Sequence, residues 1–288
     1  DLERVYFQAC ATRVTLVVLE SEVDRGFELA RELLEKLDRV EPDDPLFDRL
    51  LMNKAGVLGQ LAELHLRVGD FDAALDTCAR ALDIARERLP YNEAWLEYTM
   101  ASIYEGGRDW EACARHAERA EACFLEQGDL IGLASCHNLN GVVFYERDLL
   151  DEALECFAQS LHVYSTTGDA GYYITLENIL RIQCELRRFE DARALYTETA
   201  RALARDEAFE TFFLDMDLLF AALDEDWTRY DALFADVDEQ LDLELWAYEY
   251  LAIGFWGVIE VLLERGEYQR AREAFDPFLR LIDACGEL

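Results

Sequence analysis

The residues of this chain with the greatest capacity for chemistry are four histidines, eight cysteines and 61 acidic side chains among 288 residues. Cys113 and His116, in the tetrapeptide CARH, stand three apart and share one face of a helix, which amounts to half a metal site. A structural zinc site needs four nitrogen or sulfur ligands, usually in compact pairs. None of Cys10, Cys78, Cys113, Cys123, Cys136, Cys156, Cys184 and Cys285 forms a CxxC pair, and most fall at apolar positions of helical patterns, where cysteine behaves as a small hydrophobe. They read as reduced core thiols, which suits a cytoplasmic protein. His65, His137 and His162 read as interior or groove-facing side chains, and the acids at Asp43 and Asp44 and from Asp224 to Asp226 as turn residues or helix caps. Phosphate-binding loops, GxGxxG, HExxH and GxSxG are all absent from the sequence. The expectation is a protein that binds, not an enzyme, with no cofactor and no metal.

Charge narrows the partner. The 61 acidic against 27 basic side chains give a net charge of −34, spread along the whole length. Direct nucleic-acid binding requires clustered Lys and Arg, and an anionic membrane surface would repel such a chain. A field of this sign instead steers basic partners towards it. No run of 18 apolar residues exists, the start DLERVYFQAC is unlike a signal peptide, and only four prolines occur, two of them together at Pro42 and Pro45 where they mark a connection.

The elements that position these residues are set by a repeat. A large apolar residue followed three positions later by a mostly small one recurs as Phe27 and Ala30, Phe71 and Ala74, Trp110 and Cys113, Leu150 and Ala153, Phe189 and Ala192, Trp227 and Tyr230, and Tyr268 and Ala271. Successive members are 44, 39, 40, 39, 38 and 41 residues apart. Each pair opens an amphipathic helix that follows another helix and a turn such as RVGD (67–70) or ERGE (264–267). Glycine there tolerates the left-handed conformation and the following aspartate can cap the next helix; QGD (127–129) and TGD (167–169) join one helix pair to the next in the same way. Small residues also stand twelve positions before the second small residue, at Ala62, Ala101 and Gly141, so the two helices of a pair can approach closely. The large residue ahead of it is expected to wedge between pairs as core.

The helices expected are 2–20 with 23–38, 46–68 with 71–89, 92–105 with 109–126, 129–146 with 149–166, 169–187 with 189–205, 207–223 with 227–240, and 243–265 with 268–285. This makes about seven pairs, with units at 1–40, 46–89, 91–127, 129–167, 169–205, 207–241 and 243–286, read as one domain over 1–288. GDFDAALDTCARALDIA (69–85) and GVVFYERDLLDEALECFAQSL (141–161) resemble the tetratricopeptide repeat family. The period near 40 resembles its longer-helix variety, seen in maltose-regulator-type bacterial transcription factors, peptide-sensing regulators and some polarity adaptors. The resemblance implies an all-α, right-handed superhelical solenoid, stable only because stacked pairs bury each other's apolar faces. Tyr230, Leu180, Leu218 and Ile259 stand where the pattern has small residues.

The resemblance also implies a concave groove lined by the first helix of each pair. Counting from the small residues places there Glu63 and Arg67; Trp95, Tyr98, Ser102 and Glu105; Asn138, Val142, Tyr145 and Glu146; Glu177, Asn178 and Arg181; Asp215 and Leu219; and Trp256, Glu260 and Glu264. Chaperone-binding members of the family clamp a peptide carboxylate with Lys, Arg and Asn, whereas carboxylates occupy this groove, so a basic or aromatic-containing protein or peptide segment is the expected partner. The chain starts inside a helix pattern without an initiator methionine and ends without a polar capping helix, so it is expected to be the sensor or regulatory portion of a larger transcriptional or signalling regulator with flanking domains. Two alternatives stand beside this interaction scaffold: a peptide or small-ligand sensor whose superhelix responds to binding, and an acidic DNA-mimicking inhibitor.

Overall fold

A computed structural model describes residues 23–39, 47–88, 90–169, 171–202, 213–235, 237 and 248–286. Among them lie thirteen α-helices and no strand: α1 (Val23–Leu37), α2 (Phe47–Arg67), α3 (Phe71–Arg88), α4 (Pro90–Gly106), α5 (Trp110–Gln127), α6 (Leu130–Tyr145), α7 (Leu150–Thr167), α8 (Gly171–Glu185), α9 (Phe189–Ala202), α10 (Leu214–Leu223), α11 (Trp227–Ala235), α12 (Tyr248–Glu264) and α13 (Tyr268–Gly286). The expected helix 2–20 and the Pro42–Pro45 connection, with Asp43 and Asp44, lie outside the described residues. The chain divides into two compact units, 1–167 and 168–288, parting in the turn between the fourth and fifth expected pairs.

Within each unit the helices pair as the repeat requires: α2 with α3, α4 with α5 and α6 with α7 in the first, α8 with α9, α10 with α11 and α12 with α13 in the second. Every turn inside a pair is built alike. The residue at the left-handed position is Gly69, Arg108, Asp148, Arg187, Glu225 or Gly266, with φ between 56° and 77°. The next residue's N–H reaches back to a carbonyl five positions earlier, as in Asp70 to His65 (2.9 Å), Asp109 to Tyr104 (2.8 Å) and Glu267 to Leu262 (2.9 Å). That bond satisfies a carbonyl the helix end would otherwise orphan. Asp70, Asp109 and Asp226 then accept the N–H three residues on, at 3.1, 3.0 and 3.1 Å. Between pairs, Asp129 and Asp169 follow left-handed Gly128 and Gly168 and accept from Gly132 and Gly171.

The small residues sit where helices touch. Ala62, Ala74, Ala101, Cys113 and Ala153 are fully buried, and a methyl on Gly141 would stand 2.6 Å from the ring of Phe157. In the second unit the same positions are filled by Leu180, Leu218 and Ile259 opposite Ala192, Tyr230 and Ala271, all buried. Tyr230 fits because its ring stacks on Phe234 at 5.8 Å and meets Trp227 edge-on.

The wedge residues correct the expectation of core. Phe27, Trp110, Leu150, Phe189 and Trp227 are half-buried, Phe71 is exposed, and Tyr268 keeps 71% of its surface. All but Phe27, which is fifth in α1, stand first in their helices, where the side chain lies at the edge of the stack and can cover a turn, as Phe71 does over Gly106 and Gly107. Several are covered in turn by guanidinium groups: Arg31 over Phe27, Arg187 over Phe189 and Arg270 over Trp227.

Candidate binding cleft

In the first unit the expected groove positions hold varied roles. Glu63, Arg67 and Glu146 are exposed, while Ser102, Glu105, Asn138, Val142 and Tyr145 are half-buried. Ser102 donates to the carbonyl of Tyr98 at 3.2 Å. Trp95 keeps 38% of its surface but meets Phe124 edge-on at 4.8 Å, and Tyr98 packs against two buried clusters that α4 and α5 form with α6. These two aromatics knit the stack together.

The histidines are placed by packing. His116 does not turn to Cys113; its Nδ1 lies 2.6 Å from Glu97 Oε2, and its ring stacks on Tyr104. Glu97 is buried and also accepts from Arg86, which reaches Glu93 at 3.4 Å as well. Burial alone would raise the Glu97 carboxyl, but the bonds from His116 and Arg86 outweigh it and hold the carboxyl below its ordinary range. His65 is half-buried with its ring edge-on to Phe27, His137 is half-buried, and His162 is exposed on α7 instead of interior. Of the cysteines, Cys78, Cys113 and Cys136 are buried and Cys123, Cys156 and Cys184 half-buried, all as free thiols. No group of three metal-binding side chains occurs among the described residues.

The second unit gathers its expected residues into a cavity. A cleft with room of about 110 Å³ is lined by Glu177, Arg181, Cys184 and Glu185 of α8, Arg187 and Phe189 at the turn into α9, Met216 and Leu219 of α10, and Trp256, Gly257, Glu260 and Val261 of α12. Five of the expected groove positions, Glu177, Arg181, Leu219, Trp256 and Glu260, thus meet in one place. Asn178 and Asp215 are buried instead of open to the groove: Arg181 donates to Asn178 Oδ1 at 3.0 Å, and Asp215 is 2% exposed. Trp256 keeps 45% of its surface, with its Nε1 donating to Glu260 at 3.0 Å and its ring against Phe278, so the indole is oriented before anything binds. Arg187 is ion-paired with Glu264 and so ties the end of α8 to α12.

Burial, reinforced by the charge of Glu177, pushes the Asp215 carboxyl well above its ordinary value. Burial, then Asp215, Glu177 and Glu185, push the Cys184 thiol up to about 12, which keeps it protonated and inert as a nucleophile. The lining joins apolar side chains to three acids, Glu177, Glu185 and Glu260, and two arginines, Arg181 and Arg187, an arrangement able to hold a cation with an apolar stem. Cys184 was legible as part of this face, since 177, 181 and 184 follow helical spacing. Arg187 carried no such signal because it lies in a turn, and Phe189, first in α9, read from the repeat only as a wedge.

No family model matches the chain. It is 24% identical over 157 residues to the transcriptional activator NprA of Geobacillus stearothermophilus, covering 53% of this chain and 37% of that protein, so the chain spans about a third of this curated relative's length. Among solved structures it resembles a Rap protein complexed with Competence and Sporulation Factor, with TM-score 0.73 and 15% identity over 98% of this chain and 76% of the other. It also resembles NprR in complex with its cognate peptide NprX, with TM-score 0.58 and 14% identity over 95% of this chain and 77% of the other. Among the described residues no helix is long and apolar enough to cross a membrane. With the repeat register, the paired helices and their common turn beside these likenesses, the chain is a tetratricopeptide-repeat protein in fold.

Proposed function

We propose that this chain is a peptide- or protein-binding regulatory region of a cytoplasmic regulator, and that its cleft between α8, α10 and α12 receives a basic side chain flanked by apolar or aromatic ones. The observation that carries this reading is the cleft itself, where the exposed Trp256 is held by Glu260 among apolar side chains beside buried Glu177. The match to a transcriptional activator and the fold shared with proteins solved with a bound factor or peptide support a binding role.

The reading is tested with immobilised peptides that vary one cationic and one aromatic position, with rates measured across a salt series. Glu177→Gln and Glu260→Gln should slow association, with an effect that fades as the Debye length falls to about 3 Å at 1 M salt. Trp256→Ala should instead speed dissociation with little salt dependence, as loss of a buried aromatic anchor does. Binding that ignores all three substitutions but responds to Glu105→Gln or Glu146→Gln would move the site to the first unit.

A further inference from the structure

We propose that the face of α12 and α13 carrying Trp256, Phe275 and Phe278 closes on the same face of a second copy of this chain. The repeat itself defines the face. Aligned on the small residues Cys113 and Ala271, α5 and α13 match Trp110 with Tyr268, Ala117 with Phe275, Ala120 with Phe278 and Glu121 with Leu279. Aligned on Ala101 and Ile259, α4 and α12 match Tyr98 with Trp256. In the α4–α5 pair these positions receive the helix that follows. Ala117 lies in a buried cluster with Leu139 and Val143 of α6 and Ala120 in one with Cys136, while Tyr98 and Trp110 pack against them.

In the α12–α13 pair the same positions carry larger side chains and stay open. Phe275 keeps 38% of its surface, Leu279 47% and Tyr268 71%. The rings run together, with Phe275 edge-on to Phe278 at 5.5 Å and Phe278 against Trp256 at 5.6 Å. An apolar strip at the register where one pair stacks on the next is a surface suited to being covered.

Charge selects the occupant. Over the whole chain acids outnumber bases 61 to 27, so copies meeting at most faces repel each other. The α13 helix is balanced instead, with Arg270, Arg272 and Arg280 against Glu273, Asp276 and Asp283. Of these, Arg272, Glu273, Asp276 and Arg280 are exposed near the rings. On α12 and in the turn, Glu264, Arg265 and Glu267 are each ion-paired, with Arg187, Glu225 and Arg270. A basic segment steered by an acidic field gains little from so neutral a helix. A two-fold contact lays a patch on its own copy, so the patch must hold both signs beside its apolar strip. The α13 face does.

Sedimentation of the full chain across a micromolar concentration range tests this. The chain should pass from monomer to dimer, and more readily at 1 M salt, where a Debye length of about 3 Å screens the net repulsion. Phe275→Glu and Leu279→Glu each put a charge into the face twice per dimer and should raise its dissociation constant at least about tenfold. Leu125→Glu puts the same charge on an exposed leucine of the first unit and should leave the dimer unchanged. Trp256 is left unaltered because it also lines the cleft, so self-association is read apart from peptide binding. Circular dichroism melts check that each variant keeps its fold, and Tyr268→Glu replaces either face variant that melts early. A chain that stays monomeric at every concentration and salt overturns the proposal and leaves the face to a helix of another protein. A dimer as strong in both face variants as in the unaltered chain, or weakened equally by Leu125→Glu, overturns it too, because association then does not run through α13.

Discussion

The two units bury acidic side chains in opposite ways. In the first, Glu97 lies inside the α3–α5 region with Arg86 and His116 both donating to it, and its carboxyl is held below the ordinary range. In the second, Asp215 is buried close to another acid and is displaced upwards. Burial is nearly complete in each case, so the partner decides the sign. A buried carboxylate bonded by two such partners belongs to the scaffold, because it is satisfied and stays charged. A buried carboxyl beside another acid is instead left poised to lose its charge. The packing differs in parallel: the first unit sets Ala62, Ala101 and Gly141 against Ala74, Cys113 and Ala153, while the second sets Leu180, Leu218 and Ile259 against Ala192, Tyr230 and Ala271.

The largest expected effects break that packing contrast. Tyr230→Ala removes a fully buried ring stacked on Phe234 and should lower stability by roughly 3–5 kcal/mol, as aromatic truncations in cores do. Ala153→Trp inserts a ring at the same register of the first unit, where the facing residue is Gly141 against Phe157, and should cost about 3 kcal/mol. Denaturant melts of both variants check the alignment. An Ala153→Trp chain as stable as its parent would mean that the register of the fourth pair is off by at least one residue.

Next in size are the buried acids. His116→Ala leaves Glu97 with Arg86 but without the 2.6 Å bond, and should cost about 2 kcal/mol, the scale of a hydrogen bond to a charged group. Asp215→Asn should raise the melting temperature at neutral pH, since it removes a charge that folding disfavours. The pH dependences also oppose each other. Glu97, depressed on folding, stabilises above the unfolded value of about 4.3 and loses that contribution as pH falls through its folded value. Asp215, raised on folding, destabilises increasingly as pH rises from about 3.9 towards its folded value, so acidification relieves it. Hydrogen exchange, corrected for intrinsic rates, should therefore show protection in α8 and α10 rising as pH falls towards about 4 while α3–α5 stays constant, with α3–α5 weakening only below about pH 4. Loss of protection in both regions at the same pH would abolish the distinction between a satisfied and a poised acid.

Much of this architecture was legible because it rests on short-range rules. The spacing of Ala62 with Ala74 and Ala101 with Cys113 reports helix contact directly, and GD pairs at 69, 128 and 168 report where helices stop and start. Counting along the first helices also brought Glu177, Arg181, Leu219, Trp256 and Glu260 to one cleft. What counting misses is depth. Helical spacing gives the direction of Asn178 and Asp215 but not how far α9, α10 and α12 close over them, and both are buried. The wedge residues fail for the converse reason: Phe71 and Tyr268 are as apolar as any core residue, yet each stands at the first position of its helix, where one side has no neighbour. Nor does spacing reveal the bond of Glu97 to His116, which joins residues on separate helices and depends on how α4 and α5 cross.

The smallest expected effect separates the units at their turns. Arg108 and Arg187 occupy the same left-handed position, both at φ 58°, where a side chain beyond glycine costs about 1–2 kcal/mol. Replacing either by glycine relieves that strain but gives the unfolded chain more freedom to lose, roughly 0.4–1 kcal/mol. For Arg108→Gly, at an exposed turn of the first unit, the difference should emerge as a gain of about 0.5 kcal/mol, read as a small rise in melting temperature. Arg187 does more than turn the chain: its guanidinium lies 4.8 Å from the Phe189 ring centroid and is ion-paired with Glu264 of α12. Both groups border or line the cleft, so Arg187→Gly gives up an ion pair and a cation–π contact together worth about 1 kcal/mol at such exposure. The relief is cancelled or reversed, and the melting temperature should stay level or fall. Arg187→Lys keeps a charge for Glu264 but gives up the planar group over the ring, and should fall between the unaltered chain and the glycine variant. Equal gains from Arg108→Gly and Arg187→Gly would mean that Arg187 is only a turn residue, and that the end of the cleft is held by helix packing alone.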